Sequence, residues 1–241
     1  MDKLHHHFYT KKGNLKECSN YRTISLISHP SKIMLRILLT RLQPRIEGML
    51  AEEQAGFRKN RSTVEQIFNL RQIVERYLEH QLSLFTVFID FKKAFDRVWQ
   101  EALWATMHCQ QFPKQLTDVI ENLYKESTCQ VLHGSQLSES FPTTVGVRQG
   151  CLLSPSLFNL YLEEILNEAL ENADEGAVIG GRKIARFQFA DDIALLSNTE
   201  EEVQDLVTRL DRTSRRFGMI ISWEKQSPCS FAVQPTKQIW K

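Results

Sequence analysis

The stretch Arg186–Ser197, RFQFADDIALLS, sets two adjacent aspartates, Asp191 and Asp192, between short apolar runs. Neighbouring carboxylates in apolar sequence cost free energy, because charge is poorly solvated there. Phe187 and Phe189 alternate with Gln188 and Ala190, and Ile193, Leu195 and Leu196 follow. That pattern predicts two short strands with the aspartates at the turn between them. A period of two recurs in SLFTVFID, with Phe85, Val87 and Ile89 on one face and Thr86, Phe88 and Asp90 on the other. This segment reads as a strand ending in an aspartate.

Around these strands the period changes to that of helices. HPSKIMLRILLTRLQPRIEGML spaces Ile33, Met34, Ile37, Leu38, Leu42, Ile46 and Leu50 for one helix. The next opens with the capping pattern Ser62 and Glu65 and continues through Ile67, Leu70, Ile73, Val74 and Tyr77. Two more are expected near Trp99–Cys109 and Lys114–Lys125, then a short strand through Gln130–Leu132. Ser154 as N-cap and Pro155 at the first helical position begin a helix with Leu157, Phe158, Tyr161, Leu162, Ile165 and Leu166 inward. After the turn IGGRK and the aspartate hairpin, Thr199 and Glu202 cap a last helix. Its stripe is Val203, Leu206, Val207, Leu210 and Phe217, and Gly218 is its C-cap. The architecture expected is α+β, a small antiparallel sheet carrying the acidic residues and backed by helices.

Composition excludes several classes. The longest apolar runs fall far short of the roughly 20 residues that cross a bilayer, and MDKLHHHFYTKKG lacks the apolar core of a signal peptide. Five scattered cysteines form neither a disulfide framework nor a zinc knuckle. The expectation is an intracellular protein, in nucleus or cytoplasm, without a membrane partner. Charge is uneven: residues 1–61 hold 12 Lys/Arg against 5 Asp/Glu, and residues 162–211 hold 4 against 13. A basic first quarter suits a polyanion such as nucleic acid, and equally a solvated basic face.

Taken singly, an aspartate at a strand end is commonly a turn former or helix cap. Together, Asp90, Asp191 and Asp192 fit the need of two divalent cations, about 3.5–4 Å apart, for carboxylate ligands in phosphoryl displacement. GVRQGCLLSPSLFNLYL adds Gly146, Arg148, Gln149 and Gly150 just before a helix start, where anions are favoured. A glycine turn feeding a capped helix explains that segment without a ligand.

The order FTVFIDFKKAFDRV, GVRQGCLLSPSLFNLYL, FQFADDIALLS, FGMIISWEKQS resembles the palm of reverse transcriptases, above all those of non-LTR (LINE-type) retrotransposons. Upstream, KKGNLKECSNYRTISLISHPSKIMLRILLTRL and EEQAGFRKNRSTVEQI are similar to the fingers motifs of that family. The resemblance implies a right-hand polymerase fold over residues 11–227, with fingers near 11–80, palm near 81–227 and no thumb. Residues 1–10 then read as a disordered or non-native start, their three histidines accidental or tag-like, and 228–241 as a divergent tail. The resemblance further implies that Asp90 and Asp191 are the principal ligands of two Mg²⁺ ions (or Mn²⁺), with Asp192 a lesser one. Phe95 matches the bulky position that stacks beneath the sugar and excludes a 2′-hydroxyl; on the residues alone it reads equally as a core aromatic. Gln149 and Gly150 match the loop at the incoming nucleotide and template. Lys225 matches a lysine near the leaving pyrophosphate, where it would act as general acid, and Arg22, Lys32, Arg58 and Arg61 match basic fingers positions that touch triphosphate or template.

The implied activity is RNA-directed DNA polymerisation on an RNA template with a DNA primer and deoxynucleoside triphosphates. The chain would then be a piece of a larger polyprotein that also encodes thumb and endonuclease. Departures from the family pattern are Thr23 in place of a usual proline, and Trp223 and Glu224 before Lys225. Two other readings remain: a catalytically inactive remnant that binds nucleic acid, and a two-metal nuclease on an unrelated fold. The nuclease would leave Gln149 and Phe95 without a role.

Overall fold

The computed structural model describes residues 6–10, 21–25, 27–125, 127–130, 132–133, 136–223 and 231–233. Its helices are α1 (His29–Met49), α2 (Thr63–Glu79), α3 (Gln100–Cys109), α4 (Lys114–Lys125), α5 (Ser154–Ala169) and α6 (Glu200–Arg216). The strands of the first half are β1 (His6–Thr10), β2 (Tyr21–Ser25), β3 (Leu84–Ile89), β4 (Thr128–Cys129), β5 (Leu132–His133) and β6 (Gln136–Leu137). Those of the second are β7 (Phe141–Pro142), β8 (Ala177–Ile179), β9 (Arg182–Ile184), β10 (Arg186–Phe189), β11 (Asp192–Ser197) and β12 (Phe231–Val233). They gather into two units, residues 1–48 with 95–158 and residues 49–94 with 159–241.

The second unit is built on an antiparallel sheet in the order β10-β11-β3-β12. One face buries Leu84, Phe187, Ala194 and Leu196 against Ile73 and Tyr77 of α2 and Ala177 of β8. Leu84, Phe187, Leu196 and Ile73 each contribute about 1.5–3 kcal/mol by leaving water. The Tyr77 hydroxyl donates to Asn198 Oδ1 at 2.7 Å and accepts the Val178 amide at 2.7 Å, which ties α2 to the far end of β11 and to β8. Burial pushes the Tyr77 hydroxyl above its ordinary pKa. Beside the sheet edge, α5 contributes Glu163, which meets Arg186 of β10 at 2.6 Å with both side chains buried.

Helix α6 carries its start and stop in local code. Thr199 Oγ1 accepts the Glu202 amide at 3.2 Å, and Glu202 Oε2 reaches back to the Asn198 amide at 3.0 Å. At the other end Gly218, at φ 74°, donates to Arg215 and Met219 donates to Ser214, a Schellman closure. Only glycine takes that left-handed position without strain. The chain then runs antiparallel to the segment that follows β3: Lys92 donates to the Ile220 carbonyl at 2.8 Å and Ser222 to the Asp90 carbonyl at 2.7 Å.

In the first unit, Trp104 of α3 and Tyr124 of α4 meet edge to face at 5.3 Å. Tyr124 lies under the Arg148 guanidinium, 4.9 Å from its ring centre; burial pushes its hydroxyl up to about 12. Helix α1 buries Leu35, Leu38, Leu42 and Ile46 and leaves Ile33 and Ile37 exposed. The expected stripe of α1 is thus rotated, because its apolar residues occupy two adjoining stripes and only one packs. Helix α5 begins a residue earlier than a Ser154 cap implies, since the Leu153 carbonyl already accepts the Leu157 amide at 3.0 Å. His6–Thr10, read from sequence as part of a disordered or non-native start, pairs antiparallel with Tyr21–Ser25. The tail 228–241 supplies β12, which pairs with β3. No helix among the described residues is long and apolar enough to cross a membrane.

Candidate active site

Two chain segments of the second unit, the end of β3 and the β10–β11 turn, bring three carboxylates to one end of its sheet. The β3–β11 register ends at Ile89 opposite Ile193, so the next residue on one strand is Asp90 and the preceding residue on the other is Asp192. The β10–β11 ladder ends at Phe189 opposite Asp192, which leaves Ala190 and Asp191 as a two-residue turn. Ala190 takes φ 57°, the left-handed value that opens tight hairpin turns. Asp90 and Asp191 are half-buried and Asp192 is exposed. The apolar residues of RFQFADDIALLS therefore form the hairpin strands, and the acidic pair emerges where backbone pairing stops. Asp90 is fixed through its own carbonyl by Ser222 at 2.7 Å.

The segment Glu53–Gly56, quoted above within a fingers motif but without a role for its residues, supports the turn. Ala55 donates to the Gln188 carbonyl at 3.0 Å and Gln188 to the Glu53 carbonyl at 3.1 Å, extending the β10 edge in parallel. Gln54 Oε1 accepts the Gly56 amide at 2.7 Å and the Ala190 amide at 3.2 Å. Asn159 of α5 donates to the Gly56 carbonyl at 2.8 Å. Gly56 packs so tightly on the turn that a Cβ there would lie 2.1 Å from Ala190 N. The sequence signal was present in QAGF, a glycine between apolar residues, but the amide that Gln54 of the same segment meets lies 136 positions away.

The first unit holds the glycine-flanked loop. Gln149 Nε2 donates to Asp96 Oδ1 at 2.7 Å, and its carbonyl accepts the Ser25 amide at 2.8 Å. Val147 donates to the Phe95 carbonyl at 2.8 Å and Gly146 to the Val98 carbonyl at 2.8 Å, so this loop is laced to residues 95–98. Gly146 and Gly150 take φ 89° and 92°, which the loop's path requires. Phe95 stacks on Phe158 at 4.5 Å with the rings 13° from parallel. It thus has a packing role whatever else it does.

The basic positions differ in their surroundings. Lys32 is exposed on α1, along with Arg36 and Arg41. Arg22 lies on β2 opposite Tyr9. Arg58 is half-buried and its Nη1 donates to the Ala51 and Gln54 carbonyls at 2.7 and 2.9 Å, which pins the turn before Gln54. Arg61 pairs with Glu65 at 3.2 Å at the start of α2. Lys225 lies outside the described residues.

Residues 9–238 match the family model described as reverse transcriptase (RNA-dependent DNA polymerase). The chain belongs to the reverse transcriptase family. A probable RNA-directed DNA polymerase from transposon BS of Drosophila melanogaster is 30% identical over 91% of this chain and 25% of its own length. A retrovirus-related Pol polyprotein from a type-1 retrotransposable element R2 of Popillia japonica is 29% identical over 92% and 31%. An uncharacterized 149 kDa protein of transposon TX1 of Xenopus laevis is 26% identical over 90% and 17%. This reverse transcriptase domain thus spans less than a third of these relatives, which are non-LTR retrotransposon polyproteins. Among solved structures, apo telomerase from Candida tropicalis truncated of its C-terminal domain superposes with a TM-score of 0.69 over 92% of this chain and 49% of that one, at 14% identity. The polymerase fold expected from the motifs is the one observed.

Reverse transcriptases use divalent metals, and the donor set at the sheet end fits them. Carboxylates are the hard oxygen ligands that Mg²⁺ takes in small number alongside substrate phosphates. Among the described residues, the metal-capable group with ligand atoms within 4.8 Å of one another is a different one, His108, Asp118 and Glu121 in the first unit. There Glu121 is engaged by Lys125 at 2.8 Å. Bare carboxylates repel, so a wider spacing of the three aspartates accords with their charge.

Proposed function

We propose that this domain is the nucleotidyl-transfer part of a retroelement polyprotein. It extends a DNA primer on an RNA template by attack of the primer 3′-hydroxyl on the α-phosphate of a deoxynucleoside triphosphate. The observation that carries this reading is the convergence of Asp90 with the Ala190–Asp191 turn at one end of the β3–β11 pair. Asp90 and Asp191 would hold two Mg²⁺ ions, or Mn²⁺, with Asp192 in a lesser role. Bound there, the ions would lower the hydroxyl's pKa and neutralise the departing pyrophosphate.

The protein's own residues do the rest. Asp90 and Asp191 orient through backbone held on both sides, by Ser222 and by the Gln54–Gly56 segment. Phe95, braced by Phe158, takes the face of the sugar and excludes a 2′-hydroxyl. Gln149 and Gly150 contact the incoming nucleotide and the template strand, and the Asp96 bond holds the Gln149 amide in one orientation. Lys225 protonates the pyrophosphate as it leaves. Arg22, Lys32, Arg58 and Arg61 meet triphosphate or template phosphates, where cationic side chains act without reading sequence. Action is intracellular, in nucleus or cytoplasm, where template and triphosphates are present.

Primer extension on an RNA template tests the reading. It predicts a ladder of products that chelation with EDTA abolishes and added Mg²⁺ restores. Template binding that persists with no extension in Mg²⁺ or Mn²⁺ would refute it in favour of a nucleic-acid-binding remnant.

A further inference from the structure

The turn that carries Asp191 is held by more than its own strands. The ladder between β10 and β11 stops at Phe189 and Asp192, so the Ala190 amide falls outside it. Ala190 also sits at φ 57°, a conformation unfavourable for a residue with a Cβ unless its surroundings enforce it. The amide instead donates to Gln54 Oε1, the same oxygen that accepts from Gly56. Gln54 is 0% exposed, yet its Nε2 is buried with no hydrogen-bond partner among the described residues. A buried, half-satisfied amide is costly compared with an apolar side chain of the same shape. What this side chain contributes is therefore its oxygen. Its own backbone is fixed by Arg58, which donates to the Gln54 carbonyl, and by pairing alongside Gln188.

We propose that Gln54 is a positioning residue for the acidic pair. By accepting the Ala190 amide it locks the left-handed turn and so sets where Asp191 and Asp192 present their carboxylates. The inference rests on the aspartate reading above and adds to it a residue distant in sequence that touches neither substrate nor metal.

The test compares Gln54→Met, which keeps length but removes the acceptor, with Gln54→Glu, which keeps an acceptor oxygen, and with Tyr77→Phe as a control perturbed at the far end of β11. Three quantities are read on the full chain: amide hydrogen exchange at Ala190, Mn²⁺ affinity by electron paramagnetic resonance, and kcat with the deoxynucleotide KM. For Gln54→Met, exchange at Ala190 should rise by about tenfold or more while Leu196, on the same strand pair, keeps its protection. Mn²⁺ affinity and kcat should each fall about 10–100-fold, the usual effect of removing an outer partner of a metal ligand, with KM little changed. Gln54→Glu should restore Ala190 protection, and Tyr77→Phe should leave it intact. Unchanged exchange at Ala190 in Gln54→Met overturns the proposal, as does a uniform rise across the sheet or a Gln54→Glu chain that behaves like the methionine variant. If the wild-type chain neither binds Mn²⁺ nor extends a primer, the aspartate reading has failed, and the exchange comparison still decides whether Gln54 holds the turn.

Discussion

Replacing Gly56 by alanine adds one methyl group in a place that the structure leaves no room for. An ideal Cβ would stand 2.1 Å from Ala190 N, 2.7 Å from Ala190 Cα and 2.9 Å from Phe189 C, all backbone atoms. Ordinary contact begins at 3.4 Å, so the nearest atom must retreat by about 1.3 Å, the difference between 3.4 and 2.1. No rotamer change relieves such a clash; the turn or the Glu53–Gly56 segment has to move as a whole. Overpacking of this kind costs about 1–3 kcal/mol. For a chain of this size that lowers Tm by about 2–12 °C. Displacing the turn by about 1 Å also displaces Asp191, and misplacement on that scale costs about 10²-fold in rate. The matched control is Gly48→Ala, within α1, where an added Cβ meets nothing within 4 Å. It should be neutral or stabilise by up to about 1 kcal/mol, as alanine replaces glycine in a helix. Thermal unfolding and primer extension measured on both variants check the pair. A Gly56→Ala chain with wild-type Tm and kcat would show that the close approach to the turn does not exist in solution.

Other expectations follow from the same contacts. Burial outweighs the Arg186 guanidinium and raises the Glu163 carboxyl above its ordinary value of 4.5. A folded-state pKa raised in this way stabilises the protein below 4.5, and that contribution is lost as pH rises through the folded pKa. Chemical denaturation across that window should show wild-type stability falling with pH relative to Glu163→Gln; parallel curves would contradict it. Glu163→Ala leaves Arg186 charged and buried without its partner and should cost about 3–5 kcal/mol, measurable by urea denaturation. Arg58→Ala removes the Nη1 donor that serves the Ala51 and Gln54 carbonyls, and should lower stability by about 1.5–3 kcal/mol, measurable by urea denaturation. Phe95→Val removes the ring stacked on Phe158 and should raise ribonucleotide incorporation relative to deoxynucleotide in a competition assay.

Much of the fold is written locally and could be read from the chain. Lys114–Lys125 is a helix with the expected ends, the aspartates sit at a hairpin turn, and Thr199 and Gly218 open and close α6 as their chemistry demands. Each of these is decided within a few residues by a cap, a turn or a period. The rotated face of α1 is not, because Ile33 and Ile37 are as apolar as the residues that pack and only tertiary partners choose between them. The turn IGGRK was visible, with Gly180 and Gly181 both at positive φ, but its flanking strands of three residues each are too short to show a period. Gln54 and Gly56 escaped for a third reason. Nothing near them in sequence says that a glutamine oxygen will meet an amide 136 positions away. The acidic residues were legible because charge in apolar sequence is conspicuous; the residues that hold them are uncharged and were not.

The central claim is that the aspartate turn performs the chemistry. The most direct measurement is primer extension on an RNA template with Mg²⁺, comparing wild type with Asp191→Ala. The variant removes a half-buried carboxylate at a turn whose backbone is held by Gln54, so it should keep its fold and Tm. The wild-type chain should extend the primer and the variant should give nothing above background. Equal extension by the two would contradict the claim.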